Sequence, residues 1–184
     1  FDIWQFFVDY QEMVMARWPN ANFLDGSIWD KENHWAHGLI DEDDMAYQNG
    51  TMIDEPHGNI SLENIGFNIE DATAILNVGS FKTFNREITS HNVNENFFYY
   101  DSVPNNAYRD KHHNFFLEGK LELLDQANEW FYDTTSKTLY LYPEDGQNPN
   151  GKIIKGKIQD YAININNSSN ITINNLSFFA TTFF

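Results

Sequence analysis

An all-β chain with a solenoid-like C-terminal tract is what this sequence predicts, and three observations carry the prediction. Short apolar runs with a period of two recur along the chain, as strands require. Turn-forming Asn, Asp, Gly, Ser and Pro punctuate them at close intervals. The stretch 161–179 then breaks its β-branched pairs with Asn and Ser clusters: Ile163 and Ile165, a corner at 166–170, Ile171 and Ile173, a corner at Asn174-Asn175, Leu176 and Phe178. Strands too short to stand alone, joined by Asn corners that shift parity, suit a chain winding around a solenoid. On this reading Ile163, Ile165, Ile171, Ile173, Leu176 and Phe178 point inward, and Asn164 and Thr172 outward.

The other elements follow in order. Residues 3–8 and 12–16 are expected to pair as a hairpin around Asp9-Tyr10-Gln11, with Trp4, Phe6 and Val8 alternating against Gln5, Phe7 and Asp9. Trp18-Pro19-Asn20 ends it, because a residue before Pro is pushed to extended geometry. Residues 29–48 are charged and irregular, a surface excursion with a short helix at 42–47. Strands are expected over 72–78, 81–90 and 97–100. Apolar residues at 116, 117, 121, 123 and 124 predict one short helix. Residues 129–133 and 138–142 flank a four-residue loop and form a second hairpin. The run Ile154-Lys155-Gly156-Lys157-Ile158 opens the solenoid. The division is therefore 1–151, a β-rich region of hairpins, loops and one or two short helices, and 152–184, the first solenoid coils.

Charge and composition exclude several function classes. The formal charge is −16, with 27 acidic against 11 basic residues. Nucleic-acid binding relies on Lys and Arg displacing counterions, so nucleic acid is not an expected partner. No apolar run reaches the ~18 residues that membrane insertion requires. The absence of Cys removes disulfide scaffolds, thiolate metal sites and cysteine nucleophiles. Aromatic residues make up 16% of the chain; beside so many Asn, they suggest a polar stacking surface of the kind sugars use, as well as core. The first residue is Phe1 within a strand-like run and the last are bare aromatics, so the chain is expected to be a fragment of a longer protein.

Three stretches carry a resemblance: Glu118-Gly119-Lys120-Leu121-Glu122-Leu123-Leu124-Asp125, then Glu129-Trp130-Phe131-Tyr132-Asp133, then Thr138-Leu139-Tyr140-Leu141-Tyr142-Pro143. Together with the Asn-Ser-Ser-Asn-Ile-Thr-Ile-Asn-Asn-Leu-Ser-Phe coil pattern they resemble large bacterial right-handed parallel β-helix proteins of the pectate-lyase-like kind. The front end, Phe7-Val8-Asp9 with Ala16-Arg17-Trp18-Pro19-Asn20, is similar too, and departs at Tyr10, where a turn Gly is usual. The resemblance implies a right-handed parallel β-helix beginning near residue 153. It implies a secreted or periplasmic carbohydrate-active protein, a polysaccharide lyase or glycoside hydrolase, with a polysaccharide or oligosaccharide as partner. The alternative is a non-catalytic glycan-binding or adhesion β-solenoid. Catalytic groups of such enzymes usually sit on coils beyond this stretch, so none is assigned to these residues.

Candidate binding residues come from local charge. Arg109, Lys111, His112 and His113 form the densest basic stretch of an acidic chain, suited to a glycan carboxylate or sulfate, or else a plain surface loop. Lys155 and Lys157 share one face of a strand, where they either meet a glycan or are ordinary solvent charge. His34 and His37 beside Asp41, Glu42, Asp43 and Asp44 read as a solvated acidic loop, since a His pair three apart needs a helix and Gly38 follows at once. No metal or cofactor is expected. Glu129 and Asp133 lie roughly 13 Å apart by strand rise, too far for a glycosidase pair. Arg17 and Arg86 read as structural ion-pair partners.

Overall fold

The computed structural model describes residues 3–40, 46–79, 82–104, 112–144, 146 and 148–181. Twelve strands run in chain order among them: β1 (Gln5–Val8), β2 (Gln11–Met15), β3 (Arg17–Trp18), β4 (Ala36–His37), β5 (Thr51–Ile53), β6 (Thr73–Val78), β7 (Phe84–Ser90), β8 (Phe97–Tyr100), β9 (His113–Glu118), β10 (Glu129–Asp133), β11 (Thr138–Tyr142) and β12 (Ile154–Lys157). Among the described residues helix is confined to two single turns, α1 (Lys31–His34) and α2 (Ala46–Asn49), and three 3₁₀ turns. The class is all-β. The chain divides into two compact units, 14–149 and the pair of segments 1–13 and 150–184.

In the 14–149 unit a sheet runs β3-β9-β6-β7-β8-β5, with β4 also on β9. Its centre is β9 against β6, in antiparallel register from Thr73↔Glu118 to Val78↔His113. Alternation sorts the β9 side chains. Phe115 and Leu117 enter the main core with Ala74, Leu76, Val78, Ile88 and Phe98, all fully buried. Phe116 points the other way, onto Trp35 and Ala21. The predicted helix over 116–124 is thus a correction: residues to 118 are strand and only Leu121–Leu123 is a 3₁₀ turn. A strand buried on both faces reads as a continuous apolar run, and periodicity cannot separate that from a helix. The β10–β11 hairpin forms around 134–137 as expected, and β10 lies parallel to Val14 and Met15 at the end of β2.

One ion pair locks this unit. Arg17 bonds Glu118 across the β3–β9 ladder, both side chains mostly buried. The guanidinium also donates to the Ala21 carbonyl at 3.0 Å and lies 4.7 Å from the Phe116 ring centroid. Arg86 instead donates to the backbone carbonyls of Asp101 and Ser102.

In the other unit β1 pairs antiparallel with β2 on one side and β12 on the other. The stretch 154–157, expected to open a coil, is therefore the antiparallel partner of β1. Beyond it, 158–181 is a series of bends with a single bridge residue, Ile163, and no parallel coil-on-coil ladder occurs among the described residues. Asn167, Asn170 and Asn175 do take the left-handed conformation, with φ of 50°, 59° and 60°; Asn tolerates that region better than other residues with a Cβ, so the corners stand where the Asn clusters put them. The expected inward residues are not buried here: Ile165, Ile171, Ile173, Leu176 and Phe178 are all exposed.

Candidate functional site

The hairpin that joins β1 to β2 turns on Asp9 and Tyr10, both left-handed at φ 48° and 69°. Two consecutive positive φ angles make the tight turn that matches strand twist, and Gly or Asn fits it best. A tyrosine there is strained by about 1–2 kcal/mol. The turn is held by Asp9, whose N–H donates to the Ile153 carbonyl at 2.8 Å and whose carboxylate accepts from Ile153 N–H at 2.9 Å. This geometry presents the Tyr10 ring, 52% exposed, beside β12.

Register then brings the lysines to the rings. Lys155 lies opposite Phe7 and Lys157 opposite Gln5, two residues apart and on one face. The Lys155 ammonium is 4.4 Å from the Tyr10 ring centroid and 5.3 Å from that of Phe179. Lys157 is 4.5 Å from the ring of Trp4, itself 48% exposed. Phe179 meets Phe7 and Tyr10 edge-on, at 4.8 and 5.2 Å. Gly156 between the lysines packs on Ile3, where a Cβ would lie 3.2 Å from the Ile3 methyl. The result is an open groove of about 500 Å³ with Phe7, Phe178, Phe179, Tyr161 and both lysines on its walls. Flat apolar faces with ammonium donors between them can stack a sugar ring and hydrogen-bond its hydroxyls or carboxylate.

The expected basic stretch is placed differently. Arg109 and Lys111 lie outside the described residues. His113 is no loop residue but the first residue of β9, 4% exposed, with its ring against Tyr47 and Nδ1 3.1 Å from the Leu39 carbonyl. A carbonyl only accepts, so that nitrogen carries the proton. His112 and His113 share a cleft in the 14–149 unit with His37, whereas Lys155 and Lys157 belong to the other unit. His34 sits on α1 and His37 on β4, so no helix carries the two together.

The carboxylates near Trp130 are structural. Glu129 is 3% exposed and accepts backbone N–H bonds from Arg17, Asp125 and Gln126 at 3.1–3.3 Å. Burial nevertheless pushes it up to about 7. Asp133 is exposed and caps the 134–137 loop through the N–H groups of Thr135 and Ser136 and the Ser136 hydroxyl. Sequence reasoning missed Trp4, Tyr10 and Phe179 as ring partners of the lysines. The one available signal was Tyr10 at a turn position that prefers Gly.

No protein-family model matches the chain, and no curated protein matches it in sequence. A solved structure titled as a glycoside hydrolase is similar in fold, with a TM-score of 0.60 and 18% identity. The alignment covers 90% of this chain and 28% of that one.

Proposed function

We propose that this chain belongs to a secreted carbohydrate-active protein, and that the groove of Lys155 and Phe179, with the Tyr10 ring beside it, binds a saccharide chain. The observation that carries the reading is Tyr10. A strained left-handed tyrosine at a turn tip is costly, and strain of that kind tends to persist where a side chain is needed in place. Its ring and that of Trp4, each about half exposed, carry the ammonium groups of Lys155 and Lys157 over one face, which sets aromatic surface beside donors for sugar hydroxyls or a carboxylate. Fold similarity to a glycoside hydrolase supports the same class by analogy. Among the described residues the groove walls carry aromatic rings and lysines, and the role proposed for them is to hold glycan.

The 158–181 tract fits the same proposal as a coil-forming segment of a right-handed parallel β-helix. Its left-handed asparagines supply the corners, and its exposed Ile171, Ile173 and Leu176 supply a face for neighbouring coils to cover. The protein is tested by electrophoresis through gels containing soluble neutral and uronate polysaccharides. Retardation by at least one glycan, lost in Tyr10→Ala, supports the proposal; equal mobility in every gel ends it.

A further inference from the structure

Within the 14–149 unit, Trp29 is 81% exposed, more than any other large apolar side chain among the described residues. Trp35 and Trp130 of the same unit are buried, as tryptophan usually is. No cation lies over the Trp29 ring among the described residues, whereas Trp4 has the Lys157 ammonium 4.5 Å from its ring centroid. Both faces of Trp29 are therefore open to a ligand.

This is not the exposure of a frayed loop. Ile28 packs on the cluster of Ala21, Trp35 and Phe116, and its carbonyl accepts from the Trp35 indole N–H at 3.1 Å. Arg17 donates to the Ala21 carbonyl at 3.0 Å. Between these anchors the chain bonds to itself. Asn22 N–H donates to the Ser27 hydroxyl at 2.9 Å, and Ile28 N–H to the Asn22 carbonyl at 3.0 Å. The Asn22 side-chain oxygen accepts from Leu24 N–H at 2.9 Å. Trp29 N–H itself donates to the Gly26 carbonyl at 3.1 Å. The backbone under the ring is fixed, so little ordering entropy remains to be lost there when a ligand stacks on it.

The polar groups that follow the ring are fixed as well. The Asp30 carboxylate accepts from Asn33 N–H at 3.3 Å and from the Asn33 side-chain amide at 3.0 and 3.1 Å. Both side chains are exposed, and their oxygens keep lone pairs for further donors. Charge along this stretch is negative. Asp25, Asp30 and Glu32 are exposed, while Lys31 turns its ammonium to the Asn77 side-chain oxygen at 2.7 Å and over the Trp35 ring at 5.4 Å. Such a surface repels uronates, sulfates and anionic lipid. A protein interface depletes charge around its central aromatic side chains, and here carboxylates adjoin the ring. An uncharged sugar meets neither objection: its ring stacks on a flat apolar face, and its hydroxyls donate to fixed oxygens. We propose that Trp29 is a second saccharide contact, a platform for neutral sugar rings whose hydroxyls bond to Asp30 and Asn33. The proposal rests on the reading of the chain as part of a carbohydrate-active protein, but not on the Lys155 groove. The groove offers ammonium groups, which suit an acidic sugar; Trp29 is flanked by carboxylates, which do not.

The test is an NMR titration of the tryptophan indole N–H groups of the 184-residue chain, with Trp29 and Trp4 assigned from Trp29→Phe and Trp4→Phe. The probes are cellohexaose, xylohexaose, mannohexaose, laminarihexaose and hexagalacturonate. At least one neutral hexasaccharide is expected to shift the Trp29 resonance saturably, while hexagalacturonate does not and the buried Trp35 and Trp130 stay in place. Followed at the Asp30 and Asn33 backbone amides, Trp29→Ala should weaken that binding about tenfold or more, and Trp29→Phe, which keeps a stacking face, by less. Trp4 reports on the groove separately. A Trp29 response that persists in Tyr10→Ala supports the platform whether or not Trp4 moves. A Trp4 response without one at Trp29 overturns the platform and leaves the groove standing. No Trp29 response to any neutral hexasaccharide overturns it, as does an equal response to hexagalacturonate or undiminished binding in Trp29→Ala. So does a Trp29 resonance that answers only to phosphatidylcholine vesicles, or only to the concentration of the protein itself.

Discussion

Strand β9 and the tract 158–181 are built from similar residues and reach opposite outcomes. β9 runs His-Asn-Phe-Phe-Leu-Glu, and five of its six residues are buried, because ladders with β6, β3 and β4 flank it and apolar clusters cover both its faces. The 158–181 tract carries Ile, Leu or Phe at one residue in three, yet has no ladder among the described residues and exposes most of them. Apolar content alone does not bury a strand. Burial needs partner strands in register, and β9 recruits them from as far as 17–18 in sequence. The difference teaches where stability resides in this protein and where surface is left for other uses.

The sharpest way to break that comparison is to cut a side chain from each region. Phe115→Ala leaves a cavity at a fully buried position and should cost about 3–5 kcal/mol in urea denaturation. Ile171→Ala, at 52% exposure, should cost under about 1 kcal/mol. Equal costs would mean that the tract is packed as firmly as the sheet. Arg17→Met comes next, because it strands the Glu118 carboxyl, which burial already pushes upward against the pull of Arg17. A loss of about 3 kcal/mol is expected, with most of it recovered when Glu118→Leu is added. A double variant no more stable than Arg17→Met would show that the ladder, and not the stranded charge, sets the cost.

Buried carboxylates give the 14–149 unit a pH signature. With Glu129 raised to about 7 and Asp54 to about 6, the folded state holds protons that the unfolded chain releases near its ordinary carboxylate values. Stability from these groups is full below pH ~4 and falls as pH rises towards ~7. Glu129→Gln should flatten that slope across pH 5–7 in thermal melts; an unchanged slope would remove Glu129 as its source. Tyr10→Gly is the smallest expected change and has the opposite sign. Relief of the left-handed strain should stabilise the hairpin by about 1 kcal/mol. Its failure to do so would mean that contacts with Lys155 and Phe179 already compensate the strain.

Local pattern was readable and long-range register was not. The two hairpins, strands β6 to β8 and the Asn corners follow from period-two alternation and turn chemistry, which act over a few residues. The same alternation put Lys155 and Lys157 on one face. The helix expected at 116–118 failed because burial on both faces of β9 erases alternation, and that burial depends on partners 40 to 100 residues away in sequence. His113 looked like surface charge for the same reason. The aromatic partners of the lysines stayed hidden because Trp4 and Tyr10 lie about 150 residues from β12, and only the β1–β12 register joins them.

The central claim is that the exposed rings and lysines bind saccharide, and calorimetric titration tests it most directly. The ligand is an oligosaccharide of whichever polysaccharide retards the protein, and the variants are Tyr10→Ala and Lys155→Ala. The account predicts that each weakens binding about tenfold or more, equivalent to about 1.4 kcal/mol, with the melting temperature not lowered. Binding of unchanged strength in both variants would contradict it.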